Sequence, residues 1–213
     1  ELVDAGWLGR KSGRGFYRYP DGANTALPAT ASGTAPTRLT VSGRCTWAAR
    51  IAATLQAAGV TVARDESTPD VGLHWPDGAQ LWATDGRTAS HRAAATGQAN
   101  LAVFDWSVAA EPPAPGTPLA FAVAASAAPG LADRAAAALA AAGWQPVLLA
   151  DAAGLVVART VAMLINEAAD AVQQGVCTPD GADLAMKLGV NYPAGPFDWL
   201  ARVGVAPVVA LLD

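Results

Sequence analysis

Two histidines and one pair of carboxylates are the side chains in this chain that could move protons. His74 and His91 stand far apart, and neither has an acidic residue at a spacing that identifies a general base with its orienting partner. Glu167 and Asp170 lie three residues apart in a helical pattern, so they share one helix face and could act as paired carboxylates. We expect the histidines at the surface or at a sheet edge. The carboxylates are expected on a solvated helix face, with a buried polar contact through Asn166 as the alternative.

A dinucleotide-binding turn is the second chemistry that the sequence allows us to test. The first predicted strand runs into Ser42-Gly-Arg-Cys-Thr-Trp47, which has one glycine where a pyrophosphate-binding turn uses three. Arg44 and Trp47 are bulky residues at positions where the backbone has to approach the phosphates closely. We therefore expect no dinucleotide at this turn.

Asp65 leaves dinucleotide binding open as an alternative. It follows the second predicted strand, about 20 residues after Gly43, where a ribose-binding acid would stand in a dinucleotide fold. The alternative is a solvated loop carboxylate beside Arg64 and Glu66, and we prefer this second interpretation.

Other familiar site patterns are missing from the sequence. It contains no G-x-S-x-G, H-E-x-x-H or Walker motif, so hydrolase, metalloprotease and nucleotide-hydrolysing functions have no support. Cys45 and Cys177 have neither metal-like nor redox-like spacing, which predicts buried free thiols in a reducing compartment. We expect no catalytic, cofactor-binding or metal-binding residue in this chain.

Composition excludes several classes of protein. The 213 residues are 52% apolar, enough for a packed core, and 15% charged with a net charge of −4. This balance offers no basic surface for nucleic acid. No apolar run approaches the about 20 residues that cross a bilayer, and no signal peptide is evident, so we expect a soluble cytoplasmic protein.

Changes in composition and hydrophobic period divide the chain into four segments. A Gly, Ala, Thr, Ser and Pro-rich stretch without apolar period is typical of a linker. An alternation of short strands and helices follows it, and a purely helical pattern ends the chain. The predicted segments are 1–19, the tail of a preceding domain; 20–36, the linker; 37–151, a small Rossmann-like domain; and 152–213, a helical domain.

The strand and helix pattern of the Rossmann-like segment predicts a largely parallel sheet with helices on its faces. The predicted strands are Arg38–Ser42, Val60–Ala63, Val71–Trp75, Gln80–Ala83, Leu101–Trp106 and Pro146–Leu149, and a further segment, Leu119–Ala124, is left without an assigned element. The predicted helices are Trp47–Ala58 and Ala132–Ala142.

The helical segment has clear start and stop signals. A helix runs from Leu155 through Val172 and is stopped by Gly175; Thr178 and Pro179 form an N-cap and first turn for a helix that ends at Gly189. A rigid turn, Asn191–Pro196, precedes two short helices, Phe197–Val203 and Ala206–Leu212. At the other end of the chain, we expect a helix that closes against Gly6 or Gly9 and is anchored by Phe16, Tyr17 and Tyr19.

Two motifs resemble a known enzyme family. Leu8-Gly-Arg-Lys-Ser-Gly-Arg-Gly-Phe-Tyr17 is similar to the end of one helical domain. The runs Gly154–Val161, Asn166–Ala169, Asp183–Met186 and Gly189–Phe197 are similar to a second copy. In this order they resemble the C-terminal part of a bacterial 3-hydroxyacyl-CoA dehydrogenase, the long form with a duplicated helical domain and a reduced Rossmann-like insert.

The resemblance implies an NAD-dependent oxidation of 3-hydroxyacyl-CoA in fatty-acid β-oxidation or aromatic-acid breakdown. It places NAD and the catalytic His and Glu in parts of a parent chain outside this one, and implies pairing of helical domains in a homo-oligomer. Functional copies carry Asn in a Gly-Phe-(Ile/Val)-Val-Asn-Arg motif, where this chain has Ala158. An alanine side chain forms no hydrogen bond, so the resemblance implies a catalytically silent copy kept for packing and dimerisation.

Two other functions remain open on the sequence. The sheet domain and the Asn191–Pro196 turn could form a noncatalytic module that binds an acyl-CoA or a nucleotide. A purely structural oligomerisation domain is the third possibility.

Overall fold

A seven-stranded sheet organises the middle of this computed structural model, which describes residues 3–15, 33–108 and 116–212. Its strands are β1 (Arg38–Ser42), β2 (Thr61–Asp65), β3 (Gly72–His74), β4 (Gln80–Ala83), β5 (Leu101–Phe104), β6 (Thr117–Val123) and β7 (Trp144–Leu148). They lie in the order β2-β1-β3-β4-β5-β6-β7. The six predicted strands are therefore present, with small shifts at their ends, and the unassigned segment Leu119–Ala124 lies mostly in β6.

The sheet is mixed, so the prediction of a largely parallel sheet is wrong. β1 pairs parallel with β2, β4 with β5 and β6 with β7, whereas the β1-β3, β3-β4 and β5-β6 pairs are antiparallel. The connection between β3 and β4 explains one of these reversals. Gly78 N–H donates to the Trp75 carbonyl (3.0 Å) in a turn through Pro76 and Asp77, and so short a connection permits only antiparallel pairing.

Helices cover the sheet unevenly. α1 (Thr46–Ala57) and α3 (Leu131–Ala141) pack on one face, where Leu39, Val41 and Phe104 belong to the main apolar core. On the other face, α2 (Ala89–Thr96) packs over Leu101 and Val103. The sequence did not predict α2, because its short, alanine-rich segment carries no apolar stripe.

Four helices form the last part of the chain: α4 (Val157–Gln173), α5 (Pro179–Gly189), α6 (Pro196–Val203) and α7 (Val205–Leu212). α4 packs against the other three. The predicted N-cap of α5 is confirmed, since the Thr178 hydroxyl accepts from Gly181 N–H at 3.1 Å. α4 begins two residues later than predicted, because Leu155 has a left-handed φ of 48°.

Residues 3–15 form a turn at Val3–Gly6 and a 3₁₀ helix at Arg10–Ser12, in place of the predicted helix end. The Arg14 guanidinium stacks on the Trp7 ring at 3.9 Å from its centroid. Phe16, Tyr17, Tyr19 and most of the predicted linker lie outside the described residues. Within the part of the chain that is described, no helix combines the length and apolar character needed to span a membrane.

Candidate functional site

The carboxyl end of β1 is where a Rossmann-type sheet would bind a ligand. Ligands of such sheets lie outside the strand ends at the point where successive connections run in opposite directions. Here β1 is followed by β2 on one side and has β3 on the other. Ser42 ends β1 and lies beside Asp65, which ends β2.

The turn after β1 is filled by the chain itself. Gly43 has a φ of 116°, and a Cβ there would lie 2.9 Å from the Ala48 Cβ and 3.2 Å from the Asp70 carbonyl oxygen. Gly43 N–H donates to the Asp65 carbonyl (2.9 Å), and Arg64 donates to the Gly43 carbonyl (2.6 Å). The loop between β2 and β3 thus lies over the turn, and this N–H does not face a ligand. The residues present do not fit a pyrophosphate at Gly43.

Asp65 is committed to contacts within the chain. Its carboxylate accepts from Ser67 N–H at 3.0 Å and from the Ser42 hydroxyl at 3.4 Å. The hydrogen bonds from Ser67 hold the pKa of Asp65 below its ordinary value. The neighbouring Arg64 and Glu66 form an ion pair at 3.1 Å. This geometry favours the loop carboxylate over the ribose-binding acid.

The structure brings Ser42 and His74 together, which sequence reasoning missed. The Ser42 hydroxyl lies 2.8 Å from His74 Nε2, and the edge of the imidazole contacts the Trp82 ring with centroids 4.5 Å apart. His74 is half-buried on the third strand of the sheet, so its predicted place at the surface or sheet edge is wrong. The alternation of side chains along a strand was the available signal for this contact. Ser42 and Thr40 share a face of β1, and Thr40 is paired with His74 of β3.

This cluster lacks the arrangement of a nucleophilic triad. In a triad the acid orients the imidazole, whereas here Asp65 accepts from the serine. Ser42 is also 1% exposed, which denies a substrate access to its hydroxyl. The cluster therefore stabilises the sheet instead of presenting a nucleophile.

Protonation of His74 should weaken the fold. Burial lowers the pKa of His74 from its ordinary 6.5, assisted by the Arg92 charge and opposed by Asp65. The stability contributed by neutral His74 is present above pH 6.5 and is lost as the pH falls through the window below that value. We expect the free energy of unfolding of the native chain to fall between about pH 7.5 and about pH 5.5.

A His74→Gln variant provides the control, because glutamine does not titrate. Urea unfolding of both proteins at the two pH values should give a smaller pH dependence for the variant. An equal change in the free energy of unfolding between the two pH values in both proteins would contradict the assignment of this pH dependence to His74. All other residues are the same in both proteins, so the difference between them reports on position 74.

The remaining titratable candidates lie apart from this cluster. His91 is exposed on α2, as predicted, and Glu167, Asp170 and Asn166 are exposed on α4. Asp170 accepts from the Gln174 amide at 2.6 Å, so its contact is local to the helix. The predicted solvated face is confirmed.

The cysteines differ from their prediction. Cys45 is exposed and Cys177 is partly exposed, so neither is the buried thiol that we expected. The described residues contain no group of three or more His, Cys, Asp or Glu side chains that could hold a metal ion.

Ala158, which the sequence resemblance matched to an asparagine, lies inside an apolar cluster. It is 0% exposed and shares this cluster with Trp106, Val161 and Trp199. Its N–H donates to the Asp105 carboxylate at 2.8 Å. The position therefore takes part in packing and in the start of α4.

Asp105 is the polar residue that the sequence analysis overlooked. It is 0% exposed, and besides Ala158 its carboxylate accepts from the N–H groups of Trp106 (2.8 Å), Val156 (2.9 Å) and Val157 (2.7 Å). A carboxylate at a helix start satisfies donors that have no partner within the helix. The available signal was an acidic residue directly after the fully buried strand β5.

Two more helices begin at a carboxylate distant in sequence. Asp151 accepts from Ala89 N–H (2.6 Å) and Ser90 N–H (2.8 Å) at the start of α2. Asp183 accepts from Phe197 N–H (2.8 Å) and Asp198 N–H (3.0 Å) at the start of α6. Like Asp105, these two carboxylates accept from backbone N–H groups at the start of a helix and so position that helix.

The Asn191–Pro196 turn is also used for packing. Asn191 has a φ of 58°, the Tyr192 ring lies against Trp199 with centroids 5.6 Å apart, and Ala194 is 2% exposed. A cavity of about 260 Å³ lies elsewhere, beside Thr34–Arg38, Trp75 and Arg134. Arg134 is already paired with Asp77 at 2.9 Å there.

Two family models match consecutive parts of the chain. Residues 81–152 match the family model of the 3-hydroxybutyryl-CoA dehydrogenase reduced Rossmann-fold domain. Residues 154–212 match that of the 3-hydroxyacyl-CoA dehydrogenase C-terminal domain.

Individual relatives agree with these matches. The chain is 51% identical to 3-hydroxyadipyl-CoA dehydrogenase of Escherichia coli K12 over 65 residues, which is 30% of this chain and 14% of that protein. It is 35% identical to the mitochondrial hydroxyacyl-coenzyme A dehydrogenase of Sus scrofa over 71 residues, 33% of this chain and 23% of the relative.

A solved structure covers nearly the whole chain. The crystal structure of 3-hydroxybutyryl-CoA dehydrogenase from E. coli K12 superimposes with a TM-score of 0.71 at 30% identity, over 99% of this chain and 38% of that one. The chain thus spans well under half the length of this relative. The sequence resemblance is confirmed: the chain carries the reduced Rossmann-fold domain of 3-hydroxyacyl-CoA dehydrogenases at residues 81–152, followed by their C-terminal domain at residues 154–212.

Proposed function

We propose that this chain is a noncatalytic part of an NAD-dependent 3-hydroxyacyl-CoA dehydrogenase, which oxidises 3-hydroxyacyl-CoA to 3-oxoacyl-CoA in fatty-acid or aromatic-acid breakdown. NAD, the hydride acceptor, would be bound by another part of a cytoplasmic parent enzyme. The observation that carries the proposal is the burial of Ala158 beside Trp106, where the family asparagine would stand. The filled turn at Gly43 supports it independently.

The chain would serve its parent enzyme through packing of the helical domain. The apolar residues Val161, Ala162 and Ile165 of α4 are buried within the chain's own helical cluster, so they are not available to another domain. The exposed apolar side chains of the helical domain lie mainly on or next to α5 and α7. Those on or next to α5 and α7 are Val176, Leu184, Leu188, Val190, Val205, Val209 and Leu212, and Val156 and Met163 are exposed before and on α4.

These exposed side chains are suited to contact with another helical domain. α7 has the sequence Val-Ala-Pro-Val-Val-Ala-Leu-Leu, with no polar side chain, although several of its residues face outward. Apolar surface of this kind is unfavourable in water and is commonly covered in an assembly. We propose that a further helical domain of the parent, or a second copy in a homo-oligomer, covers it.

Enzyme assays and light scattering test the two halves of this proposal. The purified chain, incubated with NADH and acetoacetyl-CoA, should show no turnover under conditions in which an intact family member is active. Light scattering should show self-association that increases with concentration. Turnover by the chain alone would overturn the noncatalytic role, and a monomer at every concentration would overturn the packing role.

Restoring the family residue should damage the fold without restoring activity. Ala158→Asn would place an amide in the Trp106 cluster, where we expect an unfavourable free-energy change of about 1–3 kcal/mol from the unpaired polar group. Urea unfolding measures the loss, and the NADH assay should remain at background. Ala158→Val is the apolar control for added volume. A fully stable, active Ala158→Asn protein would contradict the proposal.

A further inference from the structure

We infer that the sheet part and the helical part of the chain open and unfold as one body, because the residue pair Asp105-Trp106 is bonded to both. The sheet unit is β1–β7 with α1–α3, and the helical unit is α4–α7. Asp105 and Trp106 directly follow β5 and are called the joint below. This cooperativity is independent of the proposed function.

Asp105 bonds both units through different groups. Its N–H donates to the Ala120 carbonyl of β6 at 2.9 Å, which fixes its backbone to the sheet. Its carboxylate accepts the N–H groups of Val157 and Ala158 in the first turn of α4. Separating the units would leave the Asp105 carboxylate without its donors and these N–H groups without their acceptor. The free energy rises until water replaces the bonds.

Trp106 makes the same connection through its side chain. Its indole Nε1 donates to the Thr84 carbonyl, next to β4, at 3.1 Å. The ring nevertheless belongs to the apolar cluster of the helical unit, with Ala162 and Trp199, and the residue is 7% exposed. The helical core is therefore incomplete without a residue held by the sheet.

Each unit contributes a residue to the apolar cluster of the other. Leu155, two residues before α4, is 2% exposed and packs in the sheet cluster with Leu101 and Val103. Arg202 of α6 also donates to the carbonyl of Val108, two residues after Trp106, at 2.9 Å. A Cβ at Gly86 would lie 3.0 Å from the Leu211 Cα of α7, so the backbones approach closely there as well. Opening either unit alone would expose part of the other core.

Two matched cap variants test the cooperativity by residue-resolved amide hydrogen exchange. Thr178 caps α5 in the helical unit, and Thr88 caps α2 in the sheet unit through His91 N–H at 3.0 Å. Thr→Ala at an N-cap weakens its own unit modestly and leaves the protein folded. Both variants are made in this chain and compared with the unaltered protein at the same dilute concentration.

If the units open together, each variant should accelerate exchange of the slowest amides of β1, β5 and α4 by one common factor of several-fold. This includes Thr178→Ala in the helical unit speeding exchange in β1 of the sheet unit. The result that overturns the inference is acceleration confined to the substituted unit, with the slowest amides of the other unchanged. Trp106→Phe keeps an aromatic ring and removes the indole N–H. Combined with either cap variant, it should reduce the acceleration of amide exchange in the unit that does not carry the cap substitution.

Discussion

Replacing Asp105 with alanine should lower the free energy of unfolding by about 4 kcal/mol, because the loss of this buried carboxylate leaves four backbone N–H groups without their acceptor. A buried unpaired donor costs about 1–3 kcal/mol, and water entering the cavity would recover part of the total. A domain is commonly stable by about 5–15 kcal/mol, so this variant should be close to unfolding at ordinary temperature. Urea unfolding followed by circular dichroism measures the effect.

Asp151→Ala is the matched control for Asp105→Ala. Asp151 also caps a helix from a distance, but it is only partly buried and accepts two N–H bonds, from Ala89 and Ser90. Its loss should cost about 1 kcal/mol, since water can replace the carboxylate at those donors. Equal costs for the two variants would show that burial and the number of bonds do not set the role of Asp105.

Gly195→Ala should be the second strongly destabilising change, at about 3 kcal/mol. A Cβ at this position would overlap the side chain of Asp183, whose carboxylate is held by Phe197 and Asp198 N–H. Relief of the overlap would move Asp183 away from the donors that it satisfies at the start of α6. The Tm of the variant, measured by calorimetry, should fall by several degrees.

Gly189→Ala is the control for this change. Gly189 is the last residue of α5, and a Cβ there would have no atom within 4 Å. Alanine is the better helix former, so the variant should be neutral or more stable by up to about 1 kcal/mol. A similar loss of Tm in both glycine variants would mean that the overlap with Asp183 is not the cause.

Local signals predicted most of the elements but not the direction of the strands. Apolar alternation and helix caps located the strands and the start of α5 at Thr178, since these depend on neighbours in sequence. The antiparallel pairs depend on where the chain goes after each strand. The Pro76-Asp77-Gly78 turn carried that information for β3 and β4, and it was outweighed by the expectation of strand, helix and strand units.

The candidate site shows the same limit. The absence of a three-glycine turn was evident at Gly43, but no local pattern indicated that Asp70 and Arg64 would fill the space around it. Contacts such as Ser42 with His74 join residues 32 apart in sequence, and Asp105 with Ala158 joins residues 53 apart. Only the register of the folded sheet and the docking of α4 bring such pairs together.

Calorimetric titration of the purified chain with NADH tests the central claim most directly, because it needs neither substrate nor turnover. With Gly43 N–H bonded to Asp65 and the turn covered by the Asp70 backbone, we predict no saturable heat at NADH concentrations that saturate an intact family member. Saturable binding with one site per chain, abolished by a bulky substitution at Gly43, would contradict the account.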